Sequence, residues 1–161
     1  MVSDLSSNAQ TGTLAWKISR GVSRLFHSRK EICLTEFTLN TGRRVDIAAL
    51  DEKGKITIIE IKTSVPDFRS DKKWPHYVPF CDRFYFAVPQ DFPHAILPLD
   101  HGLIIGDAYD AEILRPAPAG AMNAARRRAI TLRFAHTAAN RLQRYTDPPR
   151  RQGRNAGFSL W

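Results

Sequence analysis

Apolar residues recur at helical spacing near both ends of the chain and at strand spacing between them. From Thr13 to about residue 27 they form one stripe, which predicts an amphipathic helix capped by Thr11 or Thr13. A second helical period runs from about residue 121 to 145. Its apolar stripe is expected at Met122, Ala125, Ala129, Leu132, Ala135, Ala139 and Leu142.

Between the two helices, apolar runs separated by turn residues predict strands. The run 55–62 is almost entirely β-branched, which is typical of a central strand buried on both faces. A short helix should follow it, capped by Ser64 and ended by Pro75. The resulting order, α-β-β-β-α-β-β-α, predicts a mixed sheet with helices on both faces. The other strands are predicted at 32–39, 43–50, 82–88 and 102–107, with a short edge strand at 111–114.

The length of 161 residues is typical of a single domain. We expect a disordered N-terminus over 1–10, one domain over 11–146, and a flexible basic tail over 147–161. No apolar run approaches the ~20 residues of a membrane span, and the N-terminus lacks the pattern of a secretory signal. These features predict a cytoplasmic protein without a membrane partner, with Cys33 and Cys81 reduced. The oligomeric state is left open.

Positive charge is concentrated at the C-terminal end. Residues 123–161 hold nine arginines and one acidic residue, Asp147, which accounts for the net charge of +8 of the whole chain. A neutral body with a basic arm indicates a polyanionic partner, most simply nucleic acid. The alternative is a solvated helix face that promotes solubility.

Three charged residues interrupt the apolar strands in the middle of the chain. Glu60 and Lys62 are two residues apart and therefore share a face. If the hairpin loop spans residues 52–54, Asp46 falls opposite Glu60; a loop of two or four residues would turn it to the other face. Two carboxylates placed together in a sheet need a compensating cation, and Mg²⁺ commonly takes one or two carboxylates. The alternative, a solvated strand edge, is disfavoured because the flanking isoleucines are too apolar.

This pattern resembles the PD-(D/E)XK nuclease superfamily, in which an Asp and a Glu-x-Lys follow an opening helix on consecutive strands. A closer resemblance, from about Thr35 to Arg144, is to the MmcB-like DNA repair proteins. It is carried by EFTLNTGRRVDIAAL, IIEIKTSVPDFRSDKKWPHY, FCDRFYFAVP and GLIIGDAY. The resemblance implies a restriction-endonuclease-like α/β fold with an αβββαβ core, flanked by helices and followed here by the long basic helix. It also implies metal binding by Asp46 and Glu60 and catalytic assistance by Lys62.

The superfamily often adds a glutamate on the first helix, and the predicted helix here contains no acidic residue. Glu36, on the first strand, and Glu31 are the candidate substitutes. Glu36 is preferred, because it lies in an otherwise apolar and Thr-bearing strand beside the hairpin, and it is a third candidate metal ligand. The alternative is that Glu36 pairs with Arg43 or Arg44.

The hypothesis from sequence is a Mg²⁺- or Mn²⁺-dependent DNA endonuclease in repair, associated with the nucleoid and selective for DNA shape. A non-cleaving module that binds damaged, branched or single-stranded DNA and recruits repair factors is one alternative. RNA processing by the same metal site is another. Trp74 and Tyr77 either stack on a splayed base or pack a helix onto the sheet. The tip Phe158–Trp161 faintly resembles a sliding-clamp motif, with packing on the domain or no role as alternatives. The predicted DNA contacts are Lys72, Lys73, Arg126, Arg127, Arg128 and Arg133.

Overall fold

The computed structural model describes residues 12–149. The predictions for residues 1–10 and for the tip Phe158–Trp161 lie outside this range. Of the predicted tail, only residues 147–149 are described. Helices are α1 (Leu14–Ser28), α2 (Val65–Ser70) and α3 (Ala124–Thr146), with 3₁₀ turns at Trp74–His76, Val78–Phe80 and His94–Ile96. Strands are β1 (Ile32–Thr38), β2 (Arg44–Leu50), β3 (Ile56–Ile61), β4 (Arg83–Val88), β5 (Gly102–Gly106) and β6 (Ala111–Arg115).

The six strands form one mixed sheet, whose spatial order follows their order in the chain. β1, β2 and β3 are an antiparallel meander, β3, β4 and β5 are parallel, and β6 returns antiparallel to β5. Every residue of β3 is buried, as its continuous β-branched sequence predicts. The predicted mixed α/β fold is confirmed.

Two apolar layers hold the helices against opposite faces of this sheet. Ile18, Val22 and Phe26 of α1 pack with a cluster that includes Ile59 and Tyr85. The opposite face belongs to a separate cluster with Phe37, Ile58 and Phe86, which Ile130 and Phe134 of α3 join. The sheet is therefore covered on both sides, as the burial of β3 requires.

The buried face of α3 differs from the predicted stripe. Ile130 and Phe134 are its buried residues, whereas Leu132 and Leu142 are 55% and 63% exposed. The prediction was wrong because four of the seven proposed positions are alanines, which bury little apolar area. The larger Ile130 and Phe134 side chains determine which way the helix faces.

The segment after β3 is shorter in helix than predicted. α2 starts at the Ser64 cap as expected but ends at Ser70, because Asp71 adopts an extended conformation. Pro75 instead lies inside a 3₁₀ turn. Trp74 packs its ring 5.1 Å from that of Phe86, and Tyr77 is 4% exposed. Of the two alternatives for these aromatic residues, the structure therefore shows the one in which they pack onto the sheet.

Candidate functional site

The β2–β3 hairpin has the register that places Asp46 beside Glu60. Ile47 pairs with Ile59, so the next position along each strand brings the two acidic residues opposite one another. The loop spans residues 52–54, and Gly54 supplies the positive φ of 75° at which the chain returns. The carboxylate of Asp51 accepts hydrogen bonds from the backbone N–H groups of Lys53 and Lys55, which holds this turn. The register required by the sequence argument is therefore present.

Beyond Ile47 and Ile59, carboxylates replace the backbone ladder between the two strands. The backbone N–H of Asp46 donates to Glu60 Oε1 at 3.1 Å, and the N–H of Ile61 donates to Asp46 Oδ2 at 2.8 Å. Each acidic side chain thus binds the backbone of the opposite strand. These two bonds fix both carboxyl groups at the open end of the hairpin.

Burial makes ionisation of this pair unfavourable. Glu60 is 5% exposed, and burial together with the charge of Asp46 raises its pKa to about 8. Burial also raises the pKa of Asp46, although the hydrogen bond from Ile61 and the charge of Lys62 oppose the shift. A carboxyl pKa that is raised by burial beside a specific charged partner is typical of functional sites.

Lys62 lies between two acidic partners. Its Nζ is 2.6 Å from Asp71 Oδ2 and 3.8 Å from Glu60 Oε2. Burial alone would lower the pKa of Lys62, but the hydrogen bond to Asp71 and the charge of Glu60 outweigh it and raise the pKa above its ordinary value. Lys62 is therefore a fixed cation, although only 5% of its surface is exposed.

Asp71 is the site residue that sequence reasoning missed. Its second oxygen accepts from the backbone N–H of Lys73 at 2.7 Å, which orients the carboxylate toward Lys62. The only signal in the sequence is an acidic residue in a polar segment nine positions after Lys62. Nothing in that spacing shows that the chain folds back, because the early end of α2 is what brings the two together.

Glu36 lies on the neighbouring strand but pairs with an arginine. Its Oε2 is 2.6 Å from Arg44 Nε, and its backbone has a positive φ of 51°. The β1–β2 ladder changes face near this residue, since Val45 belongs to the cluster on the α3 side and Ile47 to the cluster on the α1 side. The alternative expectation, that Glu36 pairs with Arg44, is thus the geometry found.

A single divalent cation fits the donor set of the Asp46–Glu60 pair. One oxygen of each carboxylate is bound by the backbone, and the other makes no hydrogen bond within residues 12–149. Mg²⁺ commonly needs only one or two protein carboxylates, with waters and substrate phosphates completing its shell. No cluster of three or more His, Cys, Asp or Glu side chains suited to a metal occurs within the described residues. Glu36 is accordingly not grouped with the pair.

The predicted DNA-contacting residues differ in how free their side chains are. Lys72, Lys73 and Arg128 are exposed. Arg127 is occupied by a bidentate pair with Asp82, both bonds being 2.6 Å. Arg126 donates to the carbonyl of Pro79, and Arg133 to the carbonyl of Thr38 at the free edge of β1.

The mixed sheet, the two covering helix layers and the charged group at the open hairpin end define a restriction-endonuclease-like fold. The model of the MmcB-like DNA repair protein family matches residues 3–149. The chain therefore belongs to this family, as the sequence resemblance indicated.

One solved structure with the same fold is a protein of unknown function, SPO1766 from Silicibacter pomeroyi. It is 40% identical, with a TM-score of 0.82 over 92% of this chain and 98% of that chain. No curated protein is significantly similar to the sequence. Within residues 12–149, no helix has the length and apolar character needed to cross a membrane.

Proposed function

We propose that this protein is a metal-dependent DNA endonuclease that acts in repair. The observation that carries the proposal is the pair of the half-buried Asp46 and the buried Glu60 beside Lys62. Two adjacent carboxyls whose pKa values are raised by burial cost folding free energy, and no apolar packing role needs them. A divalent cation, Mg²⁺ or Mn²⁺, held by the carboxylate oxygens that the backbone does not bind would compensate their charge.

The reaction would be hydrolysis of a phosphodiester. A bound divalent cation supplies Lewis acidity and lowers the pKa of the attacking water. Water forms the new oxygen–phosphorus bond, the bond to the leaving oxygen breaks, and that oxygen takes up a proton. Lys62 keeps its charge because Asp71 raises its pKa, so it donates a hydrogen bond to the phosphate oxygens as their charge grows.

Lys72, Lys73 and Arg128 are the proposed contacts to the phosphate backbone. Their exposed cations can bind phosphates without reading base sequence. Arg127 is left out of this set because its guanidinium is held by Asp82. The family to which the chain belongs is described as a DNA repair protein family, which supports DNA as the substrate.

The test is cleavage of labelled single-stranded, duplex, flap, fork and four-way-junction DNA, with matched RNA, in Mg²⁺ or Mn²⁺. Asp46→Asn and Lys62→Met should each reduce cleavage at least about a hundredfold, because each removes a charge from the reacting centre. Asp91→Asn, at an exposed residue far along the chain, is the matched control and should cleave normally. Cleavage that survives in Asp46→Asn, or that needs no metal, would overturn the nuclease proposal.

A non-cleaving DNA-binding module is the second candidate. It is favoured by the close pairing of Lys62 with Asp71, because the Asp71 carboxylate compensates the positive charge of Lys62. In that case the wild-type protein would bind the same DNA panel without cutting it. Asp46→Asn would then leave binding unchanged or strengthen it, since it removes a negative charge near the phosphates.

A further inference from the structure

A groove runs between α1 and residues of β1, β2 and β3. Its volume is about 700 Å³, and Asp46 and Ile61 are among the residues that line it. Trp16 and Arg20 line the α1 wall, and Glu36 lies on the opposite wall. The groove therefore reaches one member of the carboxylate pair, Asp46.

The α1 wall offers a cation and an aromatic ring together. The guanidinium of Arg20 lies 4.9 Å from the centre of the Trp16 ring, one helical turn away. Arg20 is exposed, and it makes no salt bridge with an acidic residue in the described part of the chain. Arg24, which also lines the groove, is held by the carbonyls of Ala108 and Tyr109.

The opposite wall is not strongly repulsive to an anion. Glu36 is paired with Arg44, and α1 itself contains no acidic residue. An anion in the groove would therefore have the exposed Arg20 within its lining.

The size and chemistry of the groove fit one strand of a nucleic acid. Its volume lies within the range of about 300–1,000 Å³ that is typical of pockets for small molecules. A few nucleotides of a single strand can enter such a space, whereas a paired duplex is too bulky. Single-strand binding sites combine a positive groove with aromatic side chains on which bases stack.

We propose that this groove binds single-stranded DNA and directs the strand to Asp46. Arg20 contacts a backbone phosphate, and Trp16 packs against a base or sugar of the same strand. The substrate class is then single-stranded or locally unpaired DNA. This inference rests on the proposed function for its link to cleavage, but strand binding is measurable without cleavage.

The test is fluorescence anisotropy of a labelled oligothymidylate with the full chain, in EDTA so that no cutting occurs. Arg20→Gln and Trp16→Leu should each weaken binding about tenfold, and Trp16→Phe should retain most of the affinity. Lys17→Gln is the matched control, because Lys17 is an exposed cation on the same helix that does not line the groove. Binding of a blunt duplex should change less than twofold in every variant.

Equal weakening by Arg20→Gln and Lys17→Gln would show a general charge effect and would overturn the groove proposal. Equal loss of single-strand and duplex binding in Trp16→Leu would do the same. Thermal unfolding of each variant identifies any that fails to fold. If Trp16→Leu fails to fold, Trp16→Phe still tests the groove. If the cleavage panel succeeds while these variants bind normally, the groove proposal fails and the nuclease proposal stands.

Discussion

At the scale of single residues, the hairpin end is built from carboxylates that replace backbone pairing. Asp46 and Glu60 each accept a hydrogen bond from the opposite strand, and Glu60 is nearly fully buried. Neighbouring acids in such a place are stable when one is protonated or when a cation compensates them. Protonation and cation binding should therefore compete at this pair.

Glu60→Gln should flatten the pH dependence of stability. The folded pKa of about 8 lies above the ordinary 4.5, so the folded protein retains a proton that the unfolded chain releases. The stability from this protonated carboxyl is fully present below 4.5 and is lost as the pH rises through 8. One pKa unit corresponds to about 1.4 kcal/mol, and the two carboxyls titrate together. We therefore expect the free energy of unfolding of the wild type to fall by about 3 kcal/mol more than that of the variant as the pH rises. Urea denaturation from pH 5 to 9 without metal measures this, and parallel curves for both proteins would contradict it.

Asp71→Asn should lower the pKa of Lys62 and narrow the pH range of cleavage. The substitution keeps the shape of the side chain but removes the negative charge that holds the ammonium. NMR titration of the Lys62 side chain reads the pKa directly, and cleavage should fall about tenfold with an earlier decline at alkaline pH. Glu112→Gln on β6 is an exposed control that should leave the titration unchanged. An unaltered Lys62 titration in Asp71→Asn would show that Asp71 does not position the lysine.

At the scale of elements, arginines attach α3 to the sheet. Arg127 joins the start of α3 to Asp82, which also accepts from the backbone N–H of Ile56 at the start of β3. Further along the helix, Arg133 and Arg141 donate to the carbonyls of Thr38 and Glu36 on the edge strand β1. Part of the basic charge of this helix therefore satisfies backbone groups and a buried acid.

Arg127→Met should destabilise the fold by about 3 kcal/mol, because it leaves the buried Asp82 carboxylate without its main partner. Arg128→Met, at the exposed neighbour, should change stability by less than about 0.5 kcal/mol. Despite the burial of Asp82, the hydrogen bond from Arg127 lowers the pKa of this carboxyl. The stabilisation is therefore present above the ordinary carboxyl pKa and is lost as the pH falls below that value. Urea denaturation at pH 7 and pH 3 measures both effects. Equal stability of the two variants at pH 7 would show that the pair contributes little.

At the scale of the whole molecule, the fold changes where the charge acts. The sequence places the excess positive charge in residues 123–161, but several of these arginines make structural contacts. Cations from the nominally neutral body, including Arg20, Lys72 and Lys73, are exposed instead. Any DNA surface should therefore draw on both halves of the chain.

The salt dependence of DNA binding should reveal the cations that contact phosphates. The double variant Lys72→Gln, Lys73→Gln should reduce the slope of log K against log salt by about 1.4–1.8, because each phosphate contact contributes roughly 0.7–0.9. Lys53→Gln, in the hairpin loop at the far end of β2 and β3, should leave the slope unchanged. Titrations between 50 and 200 mM salt, about the range over which counterion release is large, provide the measurement. A double variant with the wild-type slope would exclude these lysines from the DNA surface.

Much of the element order was predictable from the sequence, because local periodicity fixes which residues form helices and strands. The β-branched run of β3 indicated its burial, and the hairpin spacing allowed Asp46 to meet Glu60. The orientation of α3 was not predictable from its apolar stripe, since alanines on one side competed with two larger residues on another. The sequence allowed several registers between β2 and β3, and only the conformation of the hairpin loop selects the observed one.

By itself, the sequence determined the strand and helix order, the concentration of charge and the three residues of the Asp-Glu-Lys pattern. Those properties depend on local spacing and residue type, which a chain carries before it folds. Only the tertiary structure decided that Asp71 holds Lys62, that Glu36 pairs with Arg44, and that Arg127 is structural. It also decided that Trp16 and Arg20 line the groove leading to Asp46. These pairings join residues on separate elements, so packing of the elements against one another selects among partners that the sequence leaves equivalent.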